Sequence, residues 1–197
     1  DGLFSEAFRL VLDHQEADDR TLLAVAAEIA RATGVGGMVG GQFMDVAGLA
    51  ADHEDLRAMH GLKTGRLIEA AIVAGALLSG AWEDREPSAG AGEIANEIAA
   101  EVTDEIAAYR AFAAEVGVLF QIVDDILDET GDAAVLGKTA GKDRTQEKAT
   151  YVALFGVEEA RRRAEESHRR ALEALHALPG KEAVLAQIAD YILLRQH

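Results

Sequence analysis

The chain contains no cysteine, only two prolines and 5% aromatic residues among its 197 residues. The absence of cysteine excludes disulfide bonds, thiolate nucleophiles and thiolate metal sites, and it agrees with the reducing cytoplasm, which is the predicted location. The scarcity of proline leaves long helices uninterrupted. Alternating runs of β-branched residues are also missing, whereas Ala, Leu, Glu and Arg are abundant. These features predict an all-α fold.

Positive charge is scarce as well, with 19 Lys and Arg against 35 Asp and Glu and a formal net charge of -16. Such a chain repels polyanions, which argues against binding to nucleic acid or to an anionic membrane surface. The longest apolar run, Ala70 to Ala81, is shorter than the roughly 20 residues that a transmembrane helix needs. We therefore predict no transmembrane segment, and we expect any anionic ligand to be received by bound cations and a few lysines.

The sequence predicts a single all-α domain over residues 1–197. Helix ends are indicated by Asp18-Asp19, which can cap a helix, and by Pro179-Gly180, which separates two helices. The predicted helices are Ser5 to His14, Thr21 to Gly34, Gly37 to Gly48, Glu54 to His60, Leu62 to Ala81, Glu93 to Glu129, Thr150 to Leu154, Val157 to Leu178 and Lys181 to Arg195.

The run from Phe120 to Asp128 sets three acids into an otherwise apolar helix. At about 100° per residue, Asp124 and Asp128 share a face, with Asp125 beside them and Gln121 one turn earlier. A solvated acidic face is the alternative, but bulky apolar residues surround these acids. Carboxylates in that setting repel one another, and a hard divalent cation relieves the repulsion. We predict that Asp124, Asp125 and Asp128 bind Mg²⁺ beside a diphosphate.

A predicted non-helical segment, Gly131 to Lys148, follows these acids and carries several glycines and cations. Two interpretations are open for it: a solvated loop, or a loop that folds over an anion held at the acidic helix end. We favour the second. Its cationic candidates are Lys138, Lys142, Arg144 and Lys148.

Two further groups are consistent with an anion site, although each is weak by itself. Gln42 and Asp45 lie three residues apart on one predicted helix, and the glycines before them let a neighbouring backbone or ligand approach closely. Lys63-Thr64 supplies an ammonium and a hydroxyl next to Gly65, which could loosen or kink its helix.

Together these residues resemble the trans-isoprenyl diphosphate synthases, the family of farnesyl and geranylgeranyl diphosphate synthases. The order and approximate spacing of the motifs agree with that family, and the resemblance covers essentially the whole chain. The matching elements are Gly41-Gln42 with Asp45, Lys63-Thr64-Gly65, Phe120-Gln121, Asp124 to Asp128, Gly131-Asp132, Leu136-Gly137-Lys138 and Lys148-Ala149-Thr150-Tyr151. The resemblance implies a helical bundle of the isoprenoid synthase type.

The resemblance also implies a reaction, in which isopentenyl diphosphate condenses with an allylic diphosphate by Mg²⁺-assisted ionisation and carbocation attack. The product is a longer trans-isoprenyl diphosphate. Asp124 matches the most direct metal ligand of the second Asp-rich motif. The implied diphosphate-binding residues are Gln42, Lys63, Lys138 and Lys148, with Lys142 as the alternative to the last of these. Lys63, Thr64 and Gln121 match residues near the carbocation, and a homodimer is the expected assembly.

One departure from the family is large. The family's first Asp-rich motif and its earlier Gly-Lys-Arg element have no counterpart in these 197 residues. We therefore expect the domain to be N-terminally incomplete and this chain alone to be inactive. Two other functions stay open: a class I terpene cyclase, and a non-catalytic helical subunit of a heteromeric prenyl synthase.

Overall fold

The computed structural model describes residues 2–50, 52–79, 104–135, 150–178, 180 and 182–195. Within these ranges the chain forms helices and no strand, which confirms the all-α prediction. In chain order the helices are α1 (Gly2–His14), α2 (Asp19–Thr33), α3 (Met38–Val46), α4 (His53–His60), α5 (Arg66–Leu78), α6 (Asp104–Val135), α7 (Tyr151–Phe155), α8 (Val157–Leu175) and α9 (Glu182–Leu194). A π-helical turn, Gly61–Gly65, joins α4 to α5.

Side-chain caps explain where several helices begin. Asp18 accepts a hydrogen bond from the backbone N–H of Thr21 at 3.0 Å, as its position before α2 predicted. Asp52 accepts from two N–H groups in the first turn of α4. Thr150 Oγ1 accepts from Ala153 N at 3.0 Å at the start of α7. Each cap satisfies N–H groups that have no partner inside the helix.

The long helix α6 is the centre of the bundle. Its buried residues recur every three or four positions, as a helix with one fully covered face requires. They include Phe112, Val116, Leu119 and Ile122, which are at most 2% exposed. On α8 the buried face is made largely of small side chains, among them Ala160, Ala164 and Ala171. Small residues let two helix backbones approach closely, so α8 lies tightly along α6.

A partly buried ion group joins α6 to two other helices. Arg110 on α6 donates to Glu28 of α2 at 2.6 Å and to Glu69 of α5 at 2.5 Å. Burial by itself would raise the pKa of Glu28, but the hydrogen bonds and charges of Arg110 and Arg31 together outweigh it and hold this pKa below its usual value. One guanidinium therefore ties α2 and α5 to the helix that carries the predicted metal-binding acids.

Two predicted boundaries need correction. Residues 131–135 were expected to leave the helix, but they continue α6, because the Ala-rich sequence after Gly131 favours helix and one glycine costs only about 1 kcal/mol. The helix predicted over Leu62 to Ala81 begins with a π turn instead of regular α-helix. Residues 80–103 and 136–149 lie outside the described residues, and so do the predicted cations Lys138, Lys142, Arg144 and Lys148.

Two described stretches, Asp19–Val46 and Glu105–Thr130, are long and apolar enough to cross a membrane by length and composition alone. That evidence is weak, because the core helix of a globular domain passes the same criterion. Of the most apolar window in each, 22% and 56% respectively is buried within the bundle. The absence of a transmembrane segment stays a prediction.

Candidate functional site

Asp124 is held from one side by an arginine of the last helical segment. Arg195 Nη2 donates to Asp124 Oδ1 at 3.1 Å and to the carbonyl oxygen of Phe120 at 3.3 Å. The same guanidinium lies over the Phe120 ring, 4.3 Å from its centre. The Arg195 side chain is 14% exposed and that of Asp124 is 49% exposed. Half of the Asp124 side chain therefore stays open to a ligand.

Asp125 bonds to a different part of the bundle, the start of α7. Its Oδ2 accepts a hydrogen bond of 2.7 Å from the backbone N–H of Tyr151, the first residue of α7. Burial raises the pKa of Asp125 to about 6; the Tyr151 hydrogen bond opposes the rise, and the charges of Asp124 and Asp128 add to it. Asp128, by contrast, is exposed. The three predicted metal ligands thus have three different environments.

The donor chemistry of these acids fits a hard cation, because they offer oxygen and no nitrogen or sulfur. Asp124 and Asp128 lie one turn apart on α6 with accessible carboxylates. In the part of the chain that is described, no group of three or more His, Asp or Glu side chains could hold a metal by itself. Mg²⁺ commonly binds through one or two carboxylates and takes its other ligands from water and phosphate. The described residues therefore fit a metal that is shared with a phosphate ligand.

Lys63 lies in the π turn and faces α3. Its Nζ is 2.6 Å from Asp45 Oδ2, and both side chains are at least partly buried. A π turn inside a helix shifts the following side chains around the axis, and such turns recur at functional sites. The glycine suspected of loosening this helix, Gly65, is the last residue of that turn.

Glycines on both neighbouring helices bring the π turn into backbone contact. A Cβ on Gly41 of α3 would lie 2.2 Å from the backbone nitrogen of Lys63. A Cβ on Gly117 of α6 would lie 3.0 Å from Cα of Gly65. The prediction that small residues before Gln42 permit close backbone approach is confirmed at Gly41. The positions of Lys63 and Thr64 are therefore fixed by main-chain packing.

His60 was assigned no role from the sequence, yet it immediately precedes the π turn that carries Lys63. The pKa of His60 is lowered to about 4, mainly by burial and also by the positive charge of Lys63, while the charges of Asp45 and Asp124 oppose this shift. Its Nδ1 is buried and has no hydrogen-bond partner among the described residues. The sequence signal that could have indicated a role for His60 is its position three residues, about one helical turn, before Lys63.

The other predicted site residues are less closely joined. Thr64 and Gln121 are half-buried on the π turn and on α6, whereas Gln42 on α3 is exposed. Lys138 and Lys148 lie outside the described residues, so their proximity to Asp124 stays a prediction.

A cleft of about 740 Å³ lies between the α4–α5 helix pair and α6. Its lining includes His60 and Tyr151 but neither Lys63 nor Asp124. Gly61, Gly65 and Gly117 contribute to it. The cleft therefore borders the charged group without containing it.

Comparison with known proteins identifies the family. The model of the polyprenyl synthetase family matches residues 1–192. The farnesyl diphosphate synthase of Escherichia coli (strain K12) is 36% identical over 202 residues, covering 99% of this chain and 61% of that protein. The mitochondrial geranylgeranyl pyrophosphate synthase 6 of Arabidopsis thaliana is 38% identical over 187 residues, covering 91% of this chain and 49% of that protein.

Solved structures agree with the sequence relatives. An FPP/GFPP synthase from Zymomonas mobilis superposes with a TM-score of 0.73 at 27% identity, over 97% of this chain and 58% of that one. A geranyltransferase from Helicobacter pylori, complexed with magnesium and isoprenyl diphosphate, gives 0.70 at 26% identity, over 98% and 57%. The chain thus spans about half to three-fifths of the length of these relatives. It belongs to the polyprenyl synthetase family.

Proposed function

We propose that this chain contributes the second Asp-rich motif and the Lys63 turn to a trans-prenyl diphosphate synthase. The substrates are isopentenyl diphosphate and an allylic diphosphate. One observation carries the proposal: Gly117 of α6, about two helical turns before Asp124, packs against Gly65 at the end of the π turn that holds Lys63. An ammonium and a half-exposed carboxylate on two contacting elements can together receive a diphosphate that carries a metal ion. The names of the relatives support the same reaction class.

The proposed role of each residue follows from its charge. Asp124 and Asp128 would hold Mg²⁺, which when bound supplies positive charge that stabilises the departing diphosphate. Lys63 adds a second positive charge, and its ion pair with Asp45 keeps the ammonium in place before substrate arrives. His60 is uncharged at neutral pH because its pKa is about 4. It therefore adds no charge of its own to the site.

The bonds that break and form in the reaction determine which groups the remaining residues must supply. The allylic C–O bond breaks and its electron pair leaves with the diphosphate. The alkene of isopentenyl diphosphate then forms the new C–C bond, and the resulting cation gives one proton to the released diphosphate. The carbocation needs nearby dipoles and the exclusion of water. Thr64 and Gln121 supply a hydroxyl and an amide from the half-buried surfaces of the π turn and α6.

A prenyl-transfer assay of the natural full-length protein with Mg²⁺ and labelled isopentenyl diphosphate tests the proposal. We expect a longer prenyl diphosphate, and Asp124→Asn should lower kcat by about 10²-fold or more, the usual effect of removing one charge-stabilising group. Glu129→Gln removes the same charge at an exposed position on the same helix and should leave kcat unchanged. The absence of product, or equal losses in both variants, would contradict the proposal.

We also propose a homodimer located in the cytoplasm. Self-association is supported by α1, which has no buried residue and exposes large apolar side chains. These are Leu3, Phe4, Leu10 and Leu12, each 46% to 90% exposed. Light scattering after size-exclusion chromatography measures the mass directly. A monomer at micromolar concentration would argue against the dimer.

A further inference from the structure

We propose that Asp125 is a positioning residue that anchors the first turn of α7 to α6, and that the carboxylates facing the metal are those of Asp124 and Asp128. The inference rests on the proposed function only in its second part. The first part concerns one hydrogen bond within the described bundle, and it can be tested whether or not the chain binds a metal.

The anchor joins residues that are far apart in sequence. Asp125 Oδ2 accepts from Tyr151 N at 2.7 Å, across 26 residues of chain. Tyr151 is the first residue of α7, so its N–H has no partner inside that helix. Thr150 accepts from Ala153 N in the same turn. Two acceptors, one local and one from α6, therefore satisfy the start of α7, and a hydrogen bond from N–H to a carboxylate is among the stronger kinds.

Helix geometry separates Asp125 from the other two acids. At about 100° per residue, Asp128 lies roughly 40° around α6 from Asp124, whereas Asp125 lies roughly 100° from it. The bonding partners follow the same division: Oδ2 of the half-buried Asp125 accepts from the backbone of α7, whereas Asp128 is exposed and the side chain of Asp124, 49% exposed, is paired with Arg195 at Oδ1. Asp124 and Asp128 can thus approach one cation together while Asp125 bonds to the start of α7.

The anchored residue also reaches the Lys63 turn. Tyr151 is 2% exposed, and its ring lies 5.9 Å from that of His60 and 6.0 Å from that of His53. His60 immediately precedes the π turn that carries Lys63. By fixing Tyr151, Asp125 supports the side of α4 on which this turn begins. The acid would then orient both charged parts of the site through packing, and its loss would disturb them indirectly.

Three variants of the chain separate an anchor from a ligand. Asp125→Asn keeps an oxygen that can accept from Tyr151 N, Asp125→Ala removes it, and Asp124→Asn removes a carboxylate that faces the metal. Glu129→Gln is the control for loss of one negative charge at an exposed position on α6. Binding of Mn²⁺ in the presence of inorganic diphosphate is followed by electron paramagnetic resonance. Amide hydrogen exchange at Tyr151 is measured in parallel by NMR.

We expect Asp125→Asn to keep Mn²⁺ affinity within about threefold of the parent, because the neutral amide preserves the hydrogen bond. Asp125→Ala should speed exchange of the Tyr151 amide about tenfold. It should also weaken Mn²⁺ binding about tenfold, because the groups that bind the metal would no longer be held in position. Asp124→Asn should weaken Mn²⁺ by about tenfold or more while leaving the Tyr151 amide protected.

The outcomes distinguish the two parts. If Asp125→Asn weakens Mn²⁺ as much as Asp124→Asn does, Asp125 is a ligand and the inference is overturned. An unchanged exchange rate of the Tyr151 amide in Asp125→Ala would also overturn it, because the hydrogen bond would then not stabilise the first turn of α7. If no aspartate variant changes Mn²⁺ binding but Tyr151 exchange still responds, the proposed function fails and the anchor stands. Should Asp125→Ala not fold, Asp125→Asn alone still decides between ligand and anchor.

Discussion

Replacing Gly41 with alanine tests whether main-chain packing fixes the position of Lys63. The added Cβ would lie 2.2 Å from Lys63 N, 2.6 Å from Lys63 Cα and 2.8 Å from the carbonyl carbon of Leu62. Atoms in van der Waals contact lie about 3.5–4.0 Å apart, so α3 and the π turn must separate by roughly 1 Å. All three contacts are with backbone, and no side-chain rotation can relieve them.

The expected cost follows from that separation. Overpacking of this kind destabilises by about 1–3 kcal/mol, which lowers the melting temperature of a chain of this size by about 2–12 °C. A displacement of about 1 Å at a catalytic group can reduce the rate by about 10²-fold. We therefore expect Gly41→Ala to melt earlier in circular dichroism and to bind inorganic diphosphate with Mn²⁺ at least about tenfold more weakly in calorimetry.

Gly75→Ala is the matched control. Gly75 lies within α5, is exposed, and a Cβ there would meet nothing within 4 Å. The same chemical change should therefore stabilise the protein by about 0.5–1 kcal/mol and leave diphosphate binding unchanged. If Gly41→Ala melts as high as Gly75→Ala and binds diphosphate normally, the close approach of α3 does not determine where Lys63 lies.

Two other predictions concern buried charge. The pKa of His60 is about 4 in the folded protein against 6.5 for a free histidine, so between these values the unfolded chain binds more protons and stability falls as the pH is lowered. His60→Gln should reduce that loss by about 1–2 kcal/mol after discounting for partial exposure, and melting curves from about pH 7 to about pH 4.5 measure it; an unchanged pH profile would refute the shift. Arg110→Ala leaves Glu28 and Glu69 without their shared guanidinium and should destabilise by about 2–3 kcal/mol in urea unfolding. Arg162→Ala on α8, where the side chain is 75% exposed, should stay within about 0.5 kcal/mol of the parent, and equal effects of the two changes would refute the role of Arg110.

The net charge of -16 and the proposed anionic substrate are compatible because the charges are separated in space. Several acids of the bundle form ion pairs with arginines, as Glu28, Glu69 and Glu159 do. Asp45, in turn, holds Lys63 where an anion would arrive. Screening limits long-range repulsion to about 10 Å, so the local groups decide binding.

Features that depend on neighbouring residues could be predicted from the amino-acid sequence. Composition and spacing gave the helices, Asp18 and Thr150 marked helix starts, and the positions of Asp124 and Asp128 placed two carboxylates on one face of α6. Helix formation, capping and face sharing are all governed by residues within about four positions of one another, which a sequence displays directly.

Contacts between distant groups, by contrast, became visible in the folded bundle. Arg195 reaches Asp124 across 71 residues and Tyr151 reaches Asp125 across 26, so two adjacent, chemically identical acids acquire different partners. The π turn depends likewise on the backbones of α3 and α6 touching it at Gly41 and Gly117. The physical reason is that such contacts arise from how helices pack, and packing is set by the shapes of whole faces that no local spacing encodes.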